Sequence, residues 1–399
     1  MAIPHALELG DTLPTTIVTA IAELDPFDPA LALAAHTSDA QVEDPVLLDA
    51  LGRLLASAQA ENTRLAYSSD WRRFTAWCQQ RGRGVLPATP LTLAIYLADA
   101  ARTLDAETGR AAYTAATLTR WVTSIGRAHT ATGQPSPSTD PLVRTTMAGI
   151  RRAHGTRPTR KRALLLEDLK AMINHLPPAA GPHAAARRRD HALLLFGWAG
   201  AFRRSELIAL DVGDVSSHED GLHVHLARSK TDQTGAGLLK ALPFGSTPLT
   251  CSPCAWRAWR EVLDTHDRAG PKAVKRLLEQ QPDPAARNHI CRAPSRPDPL
   301  PPSRPLFRPI NRHGTISDRR LSPAGFAGVI KRYAALAGTN PDLIGGHSLR
   351  AGFATQAGRN KASVSAIMAQ TGHRSPATVY VYLRRAAPLE DNAVTDVGL

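Results

Sequence analysis

A tyrosine, two histidines and two arginines stand in three short motifs whose chemistry would suit attack on a phosphodiester. Tyr382 lies nine residues after His373 in the segment Gly-His-Arg-Ser-Pro-Ala-Thr-Val-Tyr-Val-Tyr. Upstream lie His-Ser-Leu-Arg at 347–350 and Arg-Arg-Ser-Glu-Leu at 203–207. A phenolic oxygen surrounded by arginines and histidines can attack phosphorus and hold the phosphate covalently. The sequence therefore predicts a phosphoryl-transfer site, assembled where these three segments meet.

Each step of such a reaction has a candidate side chain. Arg203 and Arg350 carry planar guanidinium groups that can grip two phosphate oxygens at once. His347 and His373 titrate near neutrality, so either can accept a proton or donate a hydrogen bond. Lys230 follows the first strand of a predicted hairpin, where a long amine could protonate a leaving 5′ oxygen.

Some of these assignments have competitors within the sequence. Tyr380 lies close to Tyr382, but two residues apart on a helix point to different sides, so only one can face the phosphate. The spacing from the Gly-His pair favours Tyr382. Lys240, on the return strand, competes with Lys230. Glu206, one helical turn after the first arginine of its motif, is expected to orient that arginine or a nearby histidine.

The charge of the chain indicates a polyanionic partner. Its 399 residues carry a formal net charge of +13, yet residues 1–50 hold nine acids and no lysine or arginine. The other 349 residues therefore carry +22, from 48 basic and 26 acidic side chains. This favours nucleic acid over a membrane surface, although a solvated basic surface is the simpler alternative.

Apolar patterning and cysteine content favour a cytoplasmic protein without a membrane span. The longest apolar stretch, 192–202, is too short to cross a bilayer, and no signal sequence opens the chain. The four cysteines form no disulfide framework. Cys251 and Cys254, with His289 and Cys291, could suggest zinc, but their irregular spacing leads us to expect no metal site.

Helical periodicity and composition divide the chain into four parts. Residues 1–55 form an acidic segment predicted to be flexible, or else to contain a short helix that docks on another subunit, and 56–153 form four amphipathic helices with basic outer faces. Residues 154–162 form a basic linker, and 163–399 form a mostly helical domain with one antiparallel β-hairpin and an irregular insertion at 265–320. The fold class is mainly α. Candidate DNA-backbone contacts are Arg64, Arg72, Arg73, Arg151, Arg152, Arg157, Arg160, Lys161, Arg162 and Arg204.

The motifs resemble those of the tyrosine recombinases, or phage integrases, over about residues 62–387. The matching elements are Ala-Phe-Arg-Arg-Ser-Glu-Leu at 201–207, Arg-Ser-Lys-Thr-Asp at 228–232, the motif at 347–350, the Gly-His pair at 372–373, and Tyr382. Five short matches in the right order are specific together. The family often has Gly-Leu where this chain has Ala201 and Phe202, which we interpret as a packing change.

The resemblance implies a fold, a reaction and an assembly. It implies a SAM-like core-binding domain of four helices and a helical catalytic domain, which close as a clamp around DNA. Its implied roles are Tyr382 as nucleophile, Arg203 and Arg350 on the scissile phosphate, Lys230 as general acid, His347 as general base and His373 as hydrogen-bond donor. Cleavage would leave a 3′-phosphotyrosine without metal or nucleotide cofactor.

The expected function is site-specific recombination in a bacterium or a mobile element. The implied partner is double-stranded DNA with inverted-repeat sites, held by a homotetramer on two duplexes that assembles from monomers. A type IB topoisomerase would share the chemistry but would reseal a single duplex, and the separate helical domain favours the recombinase. A regulator that keeps the fold without turnover is the other alternative, which the full set of reactive residues disfavours.

Overall fold

The computed structural model describes residues 25–28, 45–57, 61–155, 161–226, 237–281, 288–292 and 301–386. The chain divides into two compact units, 1–159 and 160–399. This division falls within the basic segment 154–162. Within the described ranges, no helix combines the length and the apolar character that crossing a membrane requires.

The first unit is helical throughout its described elements. A helix precedes the four that the periodicity predicts, so residues 45–55 of the acidic segment are helical, which is one of the two forms that the sequence leaves open. The helices are α1 (Pro45–Ser57), α2 (Glu61–Gln80), α3 (Pro90–Arg102), α4 (Ala115–Ala131) and α5 (Pro141–His154).

Side-chain caps set the starts of three of these helices. Thr89 accepts a hydrogen bond from the backbone N–H of Thr92 at the start of α3, and Asp140 accepts one from the N–H of Leu142 at the start of α5. A proline follows each cap, where its missing N–H costs nothing. Thr114 caps α4 in the same way as Thr89 caps α3.

The four predicted apolar faces meet in one core. Trp71, Leu93, Trp121 and Met147, one from each of α2 to α5, are all buried in it. Leu104 lies at helical spacing from Leu93 and Leu97 but outside this core, because α3 ends at Arg102 and the side chain of Leu104 is exposed. The tryptophans therefore serve as core residues in this unit, as amphipathic periodicity predicts.

The second unit surrounds a small sheet with helices. Its three antiparallel strands have the order β1-β2-β3, with Val224 of β2 opposite both Val215 of β1 and Lys240 of β3. The sequence predicts the β2-β3 hairpin and misses the short β1. The elements are α6 (Leu166–Asn174), α7 (Ala184–Ala199), α8 (Arg204–Ala209), β1 (Val215–His218), β2 (Gly221–Leu226), β3 (Leu238–Pro243), α9 (Ser252–Gln280), α10 (Pro323–Leu336), α11 (Ser348–Arg359), α12 (Val364–Thr371) and α13 (Pro376–Ala386).

Helix α9 corrects part of the predicted insertion. Residues 265–280 are helical, whereas the sequence pattern predicts an irregular segment from 265. The helix is interrupted at Gly270, whose φ of 74° lies in the left-handed region, and Pro271 then opens the following helical stretch. In a sequence, a glycine followed by a proline predicts that a helix ends. Here they produce a kink between two helical stretches.

Candidate active site

The first motif places Arg203 at the start of a short helix. Arg203 occupies the N-cap position of α8, and its backbone N–H donates to the Glu206 carboxylate at 2.8 Å. The same carboxylate accepts a hydrogen bond from the Arg203 guanidinium, an ion pair in which Glu206 is buried. Glu206 therefore orients Arg203 through both its backbone and its side chain, as the sequence predicts for a supporting carboxylate.

The loop before Arg203 has an unusual backbone conformation. Ala201 has a φ of 45°, in the left-handed region that favours glycine, and its side chain is fully buried. This conformation accompanies the use of its carbonyl oxygen as an acceptor for two cationic side chains. The replacement of glycine by alanine here therefore affects backbone strain as well as packing.

Arg350 lies on the first turn of α11 and is almost fully buried. Its Nη1 donates to the Ala201 carbonyl oxygen at 2.8 Å. Its Nε and Nη2 are buried and have no hydrogen-bond partner among the residues that the structure describes. Burial and the nearby Arg203 lower its pKa to about 10, so the guanidinium keeps its charge at neutral pH. A buried cation with two unpaired donors fits an anionic ligand.

Lys240, which competes with Lys230 in the sequence, is buried and bonded to the loop before Arg203. Its ammonium is buried and donates to three backbone carbonyl oxygens: those of Gly200 at 2.7 Å, Ala201 at 3.3 Å and Gln370 at 2.8 Å. Burial lowers its pKa to about 7, against the opposing effect of Glu206. Three acceptors take up the three protons of an ammonium, so Lys240 holds the arginine loop against the end of α12.

Tyr382 contacts the histidine of the second motif. The Tyr382 hydroxyl lies 2.8 Å from His347 Nε2. Tyr382 belongs to α13, and His347 immediately precedes α11. These two helices pack together. Tyr382 is half-buried, while Tyr380 is 47% exposed, and the Tyr382 hydroxyl makes the hydrogen bond to His347.

His373 contacts the ring of Tyr382. The two rings stack with centroids 5.8 Å apart. His373 Nδ1 lies 2.9 Å from Thr371 Oγ1, and that hydroxyl donates to the Ile367 carbonyl oxygen at 2.6 Å. Burial has the largest effect on the pKa of His373, and the positive charges of Arg350 and Arg203 act in the same direction. Together they lower this pKa to about 4, so the imidazole is neutral at pH 7.

Five of the six residues predicted to do chemistry thus lie around one point in the second unit. The Tyr382 phenol and the Arg203 guanidinium both act electrostatically on Arg350, and His347 and Arg203 act on His373. Lys230 lies outside the described residues, between the ends of β2 and β3. Beside Tyr382 and His347 opens a cleft of about 920 Å³, with Lys161 and Arg162 at its rim.

The predicted DNA contacts differ in how free their side chains are. Arg72, Arg151, Arg152 and Arg204 are exposed, whereas Arg64 is half-buried. The Arg73 guanidinium lies over the rings of Tyr113 and Trp121, at 5.5 and 5.3 Å from their centroids. Arg157 and Arg160 lie outside the described residues.

Lys161 and Arg162 are attached to the second unit. Lys161 Nζ donates to the Asp342 carbonyl oxygen at 2.6 Å, and Arg162 bonds to Asp168 and Thr339. These two residues of the predicted basic linker therefore contribute to packing as well as to charge.

Comparison with known proteins gives the relationships of the chain. The sequence model of the phage integrase family matches residues 272–388. An integrase/recombinase xerD homolog of Selenomonas ruminantium is 32% identical over 345 residues, covering 86% of this chain and 87% of that protein. The tyrosine recombinase XerD of Xanthomonas campestris pv. campestris is 30% identical over 196 residues, covering 49% of this chain and 47% of that protein.

A solved structure shares the fold. The XerH site-specific recombinase, bound to a palindromic difH substrate in a post-cleavage complex, matches with a TM-score of 0.52 at 16% identity, covering 93% of this chain and 97% of that one. The sequence relationships extend over most of the chain and agree with the motifs that meet around Tyr382. The chain belongs to the phage integrase family, the tyrosine recombinases.

Proposed function

We propose that this protein recombines specific DNA sites by cleaving and rejoining strands through a covalent 3′-phosphotyrosine. The observation that carries the proposal is the position of the Tyr382 hydroxyl, 2.8 Å from His347 Nε2 and close enough to interact electrostatically with the buried Arg350. A nucleophile, a proton acceptor and a cation with unpaired donors are the three groups that attack on a phosphodiester first requires.

In the proposed first step, Tyr382 attacks the scissile phosphorus and gives its proton to His347. The bond from phosphorus to the 5′ oxygen breaks, and Lys230 protonates that oxygen. The products are a 3′-phosphotyrosyl ester and a free 5′-hydroxyl, so the number of phosphoester bonds is unchanged. Because the ester keeps the energy of the broken bond, a 5′-hydroxyl of a partner strand can attack it and release Tyr382. No nucleotide or metal is required for this exchange.

The two arginines are proposed to bind the phosphate throughout this exchange. Arg350 offers Nε and Nη2, and Arg203 is held in position by Glu206. Charge develops on the phosphate oxygens in the crowded transition state, where fixed guanidinium groups stabilise it most. Because Glu206 supports Arg203 at two points, we assign it a positioning role.

His373 is proposed to donate a hydrogen bond to a phosphate oxygen. With the Thr371 hydroxyl donating to Ile367, Nδ1–H of His373 donates to Thr371, which leaves Nε2 without a proton in the neutral ring. A donor at Nε2 therefore requires the imidazolium. A bound phosphate opposes the neighbouring arginines and raises the pKa of His373, so we propose that this ring takes up its proton when DNA binds.

The partner is proposed to be double-stranded DNA with inverted-repeat sites. Exposed arginines on the first unit, Arg72, Arg151 and Arg152 among them, would contact the backbone. The first unit would thus act as the core-binding domain and the second as the catalytic domain. Strand exchange between two duplexes needs four cleavages, so we propose four protomers on two sites, assembled from monomers in the bacterial cytoplasm.

A nicked suicide duplex tests the proposal. A duplex carrying an inverted repeat found beside the gene is nicked next to the cleavage point, so that the released 5′-hydroxyl fragment diffuses away. We expect wild-type protein and Tyr380→Phe to become covalently joined to the DNA in a denaturing gel, and Tyr382→Phe to remain free. Covalent joining by Tyr382→Phe would refute the assignment, whereas binding without any joining by the wild type would indicate a regulator.

Two labelled duplexes separate recombination from relaxation. A recombinase produces strands that join label from one duplex to label from the other. A topoisomerase removes supercoils from a plasmid that carries one site and joins no strands between duplexes. We expect the joined product, and its absence together with supercoil relaxation would refute recombination while leaving the covalent chemistry intact.

A further inference from the structure

Three cysteines and a histidine converge at the start of α9, and none of them belongs to the group around Tyr382. Cys251, Cys254, His289 and Cys291 each present a ligand atom, and the four atoms all lie within 4.8 Å of one another. They come from two short segments, 251–254 and 289–291, separated by a helix and by residues outside the described part. The spacing within the sequence is irregular and by itself predicts no metal site there. The fold removes that objection.

The distances between the ligand atoms match a tetrahedral site. Zinc bonds of about 2.3 Å to sulfur and about 2.0–2.1 Å to nitrogen imply separations of about 3.8 Å between two sulfurs and about 3.6 Å between sulfur and nitrogen. Cys251 Sγ and Cys291 Sγ are 3.8 Å apart. His289 Nδ1 lies 3.4 Å from Cys254 Sγ and 3.6 Å from Cys291 Sγ. Three edges of the tetrahedron therefore have the expected lengths.

Two of the cysteines stand at the start of α9, and a neighbouring backbone N–H contacts one of them. Cys251 is the N-cap residue of α9 and Cys254 lies in its first turn, where the positive end of the helix dipole stabilises negative charge. The backbone N–H of Gly245 donates to Cys251 Sγ at 3.3 Å. An added Cβ at Gly245 would come within 2.7 Å of the Cys251 Cα, so the close approach of this N–H requires glycine. Such a hydrogen bond supports a metal ligand from outside the coordination shell.

We propose that Cys251, Cys254, His289 and Cys291 bind one Zn²⁺ in a closed structural site. Three thiolates and an imidazole are soft and borderline donors that suit zinc, and four protein ligands leave no position open for a substrate. The ion would fasten the start of α9 to residues 289–291 and, through Gly245, to the end of β3. It would therefore support the strand that carries Lys240 without taking part in phosphoryl transfer.

A disulfide is the competing arrangement of these thiols. A disulfide needs its sulfurs about 2.05 Å apart, and those of Cys251 and Cys291 are nearly twice as distant. Such a bond would also leave the thiol of Cys254 and the ring of His289 facing the pair without a function. The convergence of four donors is accounted for by one ion.

Metal analysis of the full-length chain tests the proposal. The protein is purified without a polyhistidine tag and under reducing conditions, and its metals are counted by mass spectrometry. We expect about one zinc per chain. We expect Cys254→Ser and His289→Ala to lose most of the zinc, whereas Cys78→Ala, which removes a buried thiol of the first unit, retains it. His289 is exposed, so its substitution leaves the core intact if Cys254→Ser fails to fold.

Replacement of the ion with Co²⁺ reports the ligand set directly. A tetrahedral site with three thiolates gives intense visible d–d bands and thiolate-to-cobalt charge transfer in the near ultraviolet. We expect both in the wild type, both in Cys78→Ala, and weaker charge transfer in Cys254→Ser. Folded wild-type protein with no bound metal, with iron in place of zinc, or with a cysteine pair oxidised under reducing conditions would overturn the proposal.

Discussion

Lys240 and Arg350 donate to the same atom, the carbonyl oxygen of Ala201, at 3.3 and 2.8 Å. This oxygen belongs to the loop that carries Arg203, so two buried cations fix the position of a third. Two like charges converge there because Glu206 and the backbone carbonyls of Gly200 and Ala201 compensate them. The side chains of Arg203, Arg350 and Lys240 are thus organised around one strained peptide, that of Ala201.

We expect Lys240→Met to lower both stability and cleavage. The substitution removes this donor from the carbonyl oxygens of Gly200 and Gln370 and leaves that of Ala201 with Arg350 alone, which should lower the free energy of unfolding by roughly 2–4 kcal/mol. Urea denaturation measures this loss. Lys170→Met, which removes an exposed pair with Glu167, is the control and should change the free energy by less than about 0.5 kcal/mol. Equal stability of Lys240→Met and wild type would show that these hydrogen bonds do not fix the loop.

A sulfur-containing substrate distinguishes the roles of the two lysines. If Lys230 protonates the leaving 5′ oxygen, Lys230→Ala should slow single-turnover cleavage by about 10²–10⁴-fold. Replacement of that oxygen by sulfur should restore the rate, because a thiolate leaves without a proton. Lys240→Met should not be rescued by sulfur, since its defect is in the arginine loop. Rescue of Lys240→Met alone would instead assign the acid to Lys240.

The helices of the first unit could be predicted because their signals are local. Threonine and aspartate caps followed by proline mark the starts, and apolar side chains at helical spacing mark the buried faces. The grouping of side chains around Tyr382 could be predicted for another reason. Its residues lie in separate motifs whose order, compared with a known family, indicates which segments must meet.

Other features depend on long-range packing that local patterns do not encode. In the sequence, Lys240 is indistinguishable from an ordinary strand lysine. Only its hydrogen bonds to the carbonyl oxygens of Gly200 and Gln370 explain why it is buried. The four zinc-ligand candidates are separated by a long helix, so their spacing conceals their convergence. The kink at Gly270 concealed the second half of α9, because glycine followed by proline usually ends a helix.

Gly352 allows the helix that carries Arg350 to pack closely against the backbone of Leu164. A Cβ at Gly352 would lie 1.7 Å from the Leu164 carbonyl oxygen, which already accepts a hydrogen bond from Trp198 Nε1 at 2.9 Å. We expect Gly352→Ala to shift α11, to lower the free energy of unfolding by about 1–3 kcal/mol and to slow cleavage, because Arg350 is two residues away. Thermal unfolding and single-turnover cleavage measure the two effects.

Gly328 provides the matched control for this substitution. It lies within α10, is exposed, and an added Cβ would meet nothing within 4 Å. Gly328→Ala should therefore raise the free energy of unfolding by about 0.5–1 kcal/mol through helix propensity alone. If Gly352→Ala also raised the free energy of unfolding, the tight contact at Gly352 would have no energetic consequence.

His373 should make stability depend on pH in the acid range. Its pKa in the fold is about 4, below the ordinary value of 6.5, so the fold disfavours the imidazolium. The contribution of the neutral ring is fully present above pH 6.5 and is lost as the pH falls through 4. We expect the melting temperature of the wild type to fall between pH 6.5 and 4 by more than that of His373→Gln, whose amide does not titrate. Thr371, Arg350, Arg203, His347 and Lys240 are unchanged in this variant, so the difference between the two curves isolates His373. Parallel curves would show that protonation of His373 costs the fold nothing.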